Sequence, residues 1–119
     1  MRILKLFPLG LILFSHVVSA TPQDLRFSVR HYEYLSTNGA DGFLMTLKGM
    51  LDAFGTANAV LVVRGQAPLY CEPDSLVLTH ENAAQILASE MKVTRRIPNA
   101  PLSLVLLDGL KRTFPCSTK

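Results

Sequence analysis

Tryptophan is absent, and only two of the 119 residues are cysteine. Charged residues make up 18% of the chain and aromatics 8%. There is no internal repeat and no low-complexity tract. Several chemistries are excluded by what is missing. No G-x-S-x-G, P-loop or dinucleotide fingerprint is present. His80-Glu81 opens like H-E-x-x-H, but Ala84 stands where the second histidine belongs, so the pair reads as the exposed first turn of a helix. No C-x-x-C or Cys-His spacing supports a metal site, and neither metal nor cofactor is expected. With no nucleophile and base set, no catalytic residue and no enzymatic activity are expected.

Long apolar runs are also lacking. Leu6 to Phe14 and Leu102 to Leu107 fall well short of the roughly 20 residues that span a bilayer. The first run fits an export signal instead. Arg2 and Lys5 form a positive n-region, Leu6 to Phe14 an h-region of about nine residues, and Val18-Ser19-Ala20 a small-residue cleavage site. Residues 1–20 are thus expected to be a cleaved signal peptide, and residues 21–119 a single domain. No cysteine follows the h-region to carry a lipid. Removing Arg2 and Lys5 lowers the formal charge from +3 to about +1, which gives no electrostatic case for nucleic acid or for a membrane surface.

An exported chain with two cysteines pairs them by default, so a structural disulfide between Cys71 and Cys116 is expected. Closing a loop of roughly 45 residues is worth about 4 kcal/mol in the simplest entropic model. That is a large share of the stability of a domain of about 100 residues, whose core is modest.

Along the mature chain, Leu25, Phe27 and Val29 alternate like a short strand, and Ser36-Thr37-Asn38-Gly39 reads as a turn. From Asp41, Phe43, Leu47, Leu51, Phe54, Asn58 and Leu61 recur at helical steps. Asp41 suits the helix start, Gly65 the C-terminal cap, and Pro68 forbids continuation, so this helix spans about 23 residues. Gly49, Ala53 and Ala57 form a small-residue stripe suited to close approach of another helix, in this chain or a second subunit. Gln66 to Val77 is a loop. Thr79 is an N-cap for a helix carrying Ala83, Leu87 and Met91 on one stripe. After a basic connector, Asn99 is expected to cap a last helix with Leu102, Val105, Leu106 and Leu110 facing inward. The expected fold is all-α: a small bundle of three to four helices stapled by one disulfide.

Four groups of polar residues stand out in the sequence. His31, Tyr32, Glu33 and Tyr34 combine a base, a carboxylate and two phenols, but adjacent residues rarely converge on one substrate, and a surface segment fits better. Glu72 and Asp74 read as a solvated loop. Asn58 shares the apolar register, so it is expected to be buried or at an interface, its amide bonded to backbone of the following loop. Arg95 and Arg96, followed by Ile97 and Pro98, put two strong donors beside a stiff apolar tip, a composition suited to an interface.

Gly42-Phe43-Leu44, Gly49-Met50-Leu51-Asp52-Ala53, Asn58, and Arg64-Gly65-Gln66-Ala67-Pro68-Leu69-Tyr70-Cys71-Glu72-Pro73 together resemble the Rap/Tai family, as does the close, Leu107-Asp108-Gly109-Leu110 through Phe114-Pro115-Cys116. These are small exported immunity proteins of type VI secretion systems. The resemblance covers most of Gly42 to Cys116; Thr21 to Ala40 lies outside it. It implies an all-helical periplasmic protein, frequently a homodimer, that binds a secreted cell-wall amidase effector and blocks its active-site groove. Gln66, Tyr70, Arg95, Arg96 and Ile97, in the two loops, are the candidate partner contacts. Two other readings fit a small, helical, disulfide-linked exported chain: an acid-stress chaperone of the HdeA type, and an accessory protein of an envelope complex in which the small-residue stripe serves assembly.

Overall fold

The computed structural model of the chain describes residues 27–94 and 98–117. The signal segment, Thr21 to Arg26, and the connector residues Arg95, Arg96 and Ile97 lie outside the described residues. Four α-helices follow a 3-10 turn at Val29–His31: α1 (Tyr32–Asn38), α2 (Ala40–Val63), α3 (His80–Thr94) and α4 (Leu102–Thr113). Among the described residues there is no strand beyond an isolated antiparallel bridge between Ser28 and Pro101. The fold is all-α with one disulfide, as expected.

Of the expected N-terminal strand, Leu25 lies outside the described residues, and Phe27 to Val29 form no more than the bridge at Ser28. Val29 is buried whereas Phe27 is 40% exposed, so the two do not share a face. The backbone donates from Val29 N–H to Ala100 O at 3.0 Å and from Arg30 N–H to Pro98 O at 2.9 Å. It then turns into the 3-10 helix and α1. The expected turn at Ser36-Thr37-Asn38 is the end of α1. Ser36 and Thr37 donate their hydroxyls to Glu33 O, and the Asn38 amide reaches Tyr34 O. Such local bonds satisfy carbonyls inside a helix as readily as in a turn, so the break shrinks to Gly39.

Phe43, Leu47 and Leu51 bury the stripe of α2, and Phe54, Asn58 and Leu61 continue it half-buried. The helix ends in a full Schellman motif. Gly65 takes φ 68°, its N–H donates to Val62 O at 2.9 Å, and Gln66 N–H donates to Leu61 O at 2.8 Å. Thr79 caps α3 reciprocally: Asn82 N–H donates to Thr79 Oγ1 at 3.3 Å, and Thr79 N–H to Asn82 Oδ1 at 3.2 Å. This is a capping box with Asn in the role usually held by Glu or Gln.

Asn99 does not cap α4. Pro101 holds that position, extended at ψ 136°, and its carbonyl accepts from the N–H groups of Leu104 and Val105. An Asn99 cap would draw Ala100 into the helix, but the Ala100 and Pro98 carbonyls are already engaged by Val29 and Arg30.

Helix α3 packs on both α4 and α2. Leu47, Ala83, Leu87, Leu102, Leu106 and Leu110 are fully buried where they meet. Of the described glycines, Gly109 meets a neighbouring helix most tightly: an added Cβ would lie 2.7 Å from Ile86 Cγ2. The stripe on α2 is not used in this way: Gly49 and Ala53 are exposed, and an added Cβ at Gly49 or Gly55 meets nothing within 4 Å. Cys71 and Cys116 are disulfide-bonded across a sequence separation of 45, with Cα atoms 4.9 Å apart.

Candidate functional site

The chain leaving α2 is held at three points. Asn58 Nδ2 donates to Tyr70 O at 3.0 Å, and Leu69 N–H donates to Asn58 Oδ1 at 2.7 Å. The amide therefore uses both its ends on loop backbone, as its register in the apolar stripe suggested. Cys71 N–H donates to Phe114 O at 2.9 Å, just past α4, and the disulfide adds the covalent tie. The loop cannot drift from the helices without breaking these bonds.

This pinning shapes two adjacent grooves between α2 and the loop. The larger, about 520 Å³, has Ala59, Val62 and Val63 on one wall and Pro68 and Cys71 on the other, with Glu72 and Asp74 at its edge. The smaller, about 290 Å³, runs beside Leu51, Asp52 and Gly55 towards Leu76 to Leu78. Tyr70 and Glu72 line both. Tyr70 is only 3% exposed, so its ring acts as a shared floor. Burial, and secondarily the Glu72 carboxylate, push its phenol above the usual tyrosine range.

Gln66 is exposed at the start of this loop, its backbone serving the Schellman motif. Tyr70 lies under the grooves. Arg95, Arg96 and Ile97 fall outside the described residues. The His31 to Tyr34 group is dispersed. His31 Nδ1 lies 3.1 Å from Ser28 Oγ, Tyr32 packs edge-on against Phe43 with ring centroids 6.0 Å apart, and Glu33 and Tyr34 are exposed. Ser28 is itself buried, so this serine–histidine contact offers no accessible hydroxyl to a substrate. His80 and Glu81 pair with each other at 2.9 Å on the surface. The Glu81 carboxyl is held below its usual range, first by its own backbone N–H, then by the Thr79 hydroxyl.

The sequence reading missed Glu90. It sits buried on α3 and accepts from Arg112 Nη2 of α4 at 3.0 Å. The available signal was its place three residues after Leu87, on the edge of the apolar stripe. The pair is one-sided: the Arg112 side chain is 66% exposed and the Glu90 side chain 8%, so solvent screens the cation while the carboxylate depends on its bonds within the fold.

Among the described residues no group of three or more His, Cys, Asp or Glu could hold a metal ion, and no helix is long and apolar enough to cross a membrane. The described residues define a small all-α domain of four helices whose interhelical loop is tied to the C-terminal end by a disulfide. No protein-family model, curated protein or solved structure matches the chain.

Proposed function

We propose that this is a periplasmic immunity protein that inhibits a peptidoglycan amidase effector by occluding the enzyme's active-site groove, with no chemistry of its own. One observation carries the reading. The two stretches on which the family resemblance chiefly rests, Tyr70-Cys71-Glu72-Pro73 and Phe114-Pro115-Cys116, form a single knot through the disulfide and the Cys71 to Phe114 backbone bond. Asn58, the polar residue of the same resemblance, fastens the loop that leads into it. The bond between the cysteines is compatible with export to an oxidising compartment. A rigid, disulfide-pinned loop beside an open groove is the kind of preorganised surface that loses little entropy on binding a partner.

The test is affinity co-purification of the tagged mature protein from its own periplasm at neutral pH, with bound proteins identified by mass. A stoichiometric partner that degrades peptidoglycan, and is inhibited when the protein is added back, is the expected result. Absence of such a partner, or a broad spread of unfolded clients, would overturn the reading, the latter in favour of a chaperone. Reversing both charges at Arg95 and Arg96 is expected to weaken inhibition; unchanged inhibition would remove that connector from the contact surface.

A further inference from the structure

The last two turns of α2 carry more apolar surface than the fold uses. Leu61 is half-buried, but Val60, Val62 and Val63 are exposed, Val63 at 87%, and Val77 across the loop is 82% exposed. Valine is a mediocre helix former, and at Val62 and Val63 no core packing offsets that cost. The edge of the same surface is acidic. Glu72 borders both grooves and Asp74 the larger one. Asp52, beside the smaller groove, is already paired with Lys48 at 2.9 Å. Of the residues that line the grooves, none is Lys, Arg or His.

We propose that the α2–loop groove is a docking site for an apolar segment of a partner protein that carries a lysine or arginine. The charge selects the occupant. A purely apolar segment would cover Val62 and Val63 but would strip water from Glu72 and Asp74 without replacing it. An acidic segment, or an anionic lipid surface, would be repelled by the same carboxylates. A cationic side chain flanked by apolar ones satisfies both parts of the surface, since charge-assisted hydrogen bonds are among the stronger polar contacts. The site is preformed, because the Asn58 amide, the Cys71 to Phe114 bond and the disulfide hold its loop wall against α2. This inference rests on the reading of the chain as a protein-binding domain, but not on the partner being a cell-wall enzyme.

The experiment titrates the 15N-labelled mature protein, disulfide intact, with acetyl-Ala-Leu-Lys-Leu-Ala-amide and, separately, with the same peptide bearing Glu in place of Lys. The lysine peptide is expected to shift the amide resonances of Ala59, Val62, Val63 and Glu72. Its affinity is expected to exceed that of the glutamate peptide by about tenfold, as one charge-assisted bond would give. The exposed double variant E72Q/D74N should abolish that preference while keeping its dispersed spectrum. Equal binding of the two peptides, shifts confined to other residues, or no shifts at millimolar peptide would overturn the proposal. Shifts of the same amides on raising the protein concentration alone would overturn it in favour of a second copy of the chain as the occupant. None of these readouts involves a hydrolase, so failure here and failure of the co-purification are told apart.

Discussion

Asn58 directs the chain after α2, and it does so with one side chain. Its two bonds replace the partners that Leu69 N–H and Tyr70 C=O would otherwise find in water. Asn58→Ala is expected to cost about 2–3 kcal/mol, two net bonds plus a partly buried N–H left unmade. In urea denaturation this should lower the midpoint with little change in slope. Asn58→Asp keeps the acceptor for Leu69 but sets a carboxylate against Tyr70 O, so it should not restore wild-type stability at neutral pH. Tyr70 offers a second handle. Its raised pKa means that the folded state holds the phenol proton more tightly than the unfolded chain does. The stability this represents is complete below the unfolded value of about 10 and is lost as pH rises through the folded one. Thermal scans from neutral to strongly alkaline pH should therefore show a fall in midpoint above about pH 10 that is smaller in Tyr70→Phe. An identical fall in both proteins would rule Tyr70 out as its source. Asn58 was legible in the sequence because it interrupts a long apolar register with one polar residue. Glu90 was not, because it sits at the edge of a short stripe, and its partner lies 22 residues on in another helix.

Among the elements, the three long helices were legible and their connections less so. Helical periodicity in α2, α3 and α4 reports a core-facing stripe, and Leu47, Leu87 and Leu106 are buried as that stripe requires. The cap residues Thr79 and Gly65 act through local backbone bonds, which sequence spacing encodes directly. Asn99 failed as a cap because a non-local contact, Val29 N–H to Ala100 O, holds Ala100 outside the helix and leaves the extended Pro101 at the cap position. The same contact converts the apparent strand near Phe27 into a single bridge. Small residues misled for a similar reason. Helix α2 offers the more regular stripe, yet the close approach belongs to the isolated Gly109, opposite Ile86. Gly109→Ala is expected to destabilise by about 1–2 kcal/mol, because overpacking against a β-branched, χ1-restricted neighbour outweighs the helix-propensity gain. Gly49→Ala, with open space around it, should stabilise the monomer by up to about 1 kcal/mol. Equilibrium unfolding of the two variants side by side tests the assignment, and reversed signs would place the tight packing on α2 instead.

At the scale of the whole molecule, the disulfide has two separable effects. It shortens the unfolded chain's freedom by about 4 kcal/mol in the entropic model, against a total of about 5–15 kcal/mol for a domain of this class. It also holds residues 66–78 against α2 and the end of α4, a segment outside the helices with little buried besides Tyr70. The α3–α4 core, by contrast, is built from contacts that do not involve either cysteine, among them Leu87, Leu102 and Leu106. Reduction should therefore act unevenly. Amide hydrogen exchange on the reduced protein, or on the variant with both cysteines replaced by serine, is expected to show early loss of protection at Leu69 and Cys71 (position 71 in the variant). Leu87 and Leu106 should stay protected to a free energy lowered by a few kcal/mol. Far-ultraviolet circular dichroism should retain most of its helical signal, while binding through the groove falls because its loop wall is no longer preorganised. If protection is instead lost uniformly, the bond stabilises the domain as a single cooperative unit. In that case reduction would remove binding by unfolding the domain, and the loop would have no separate stability for a partner to sense.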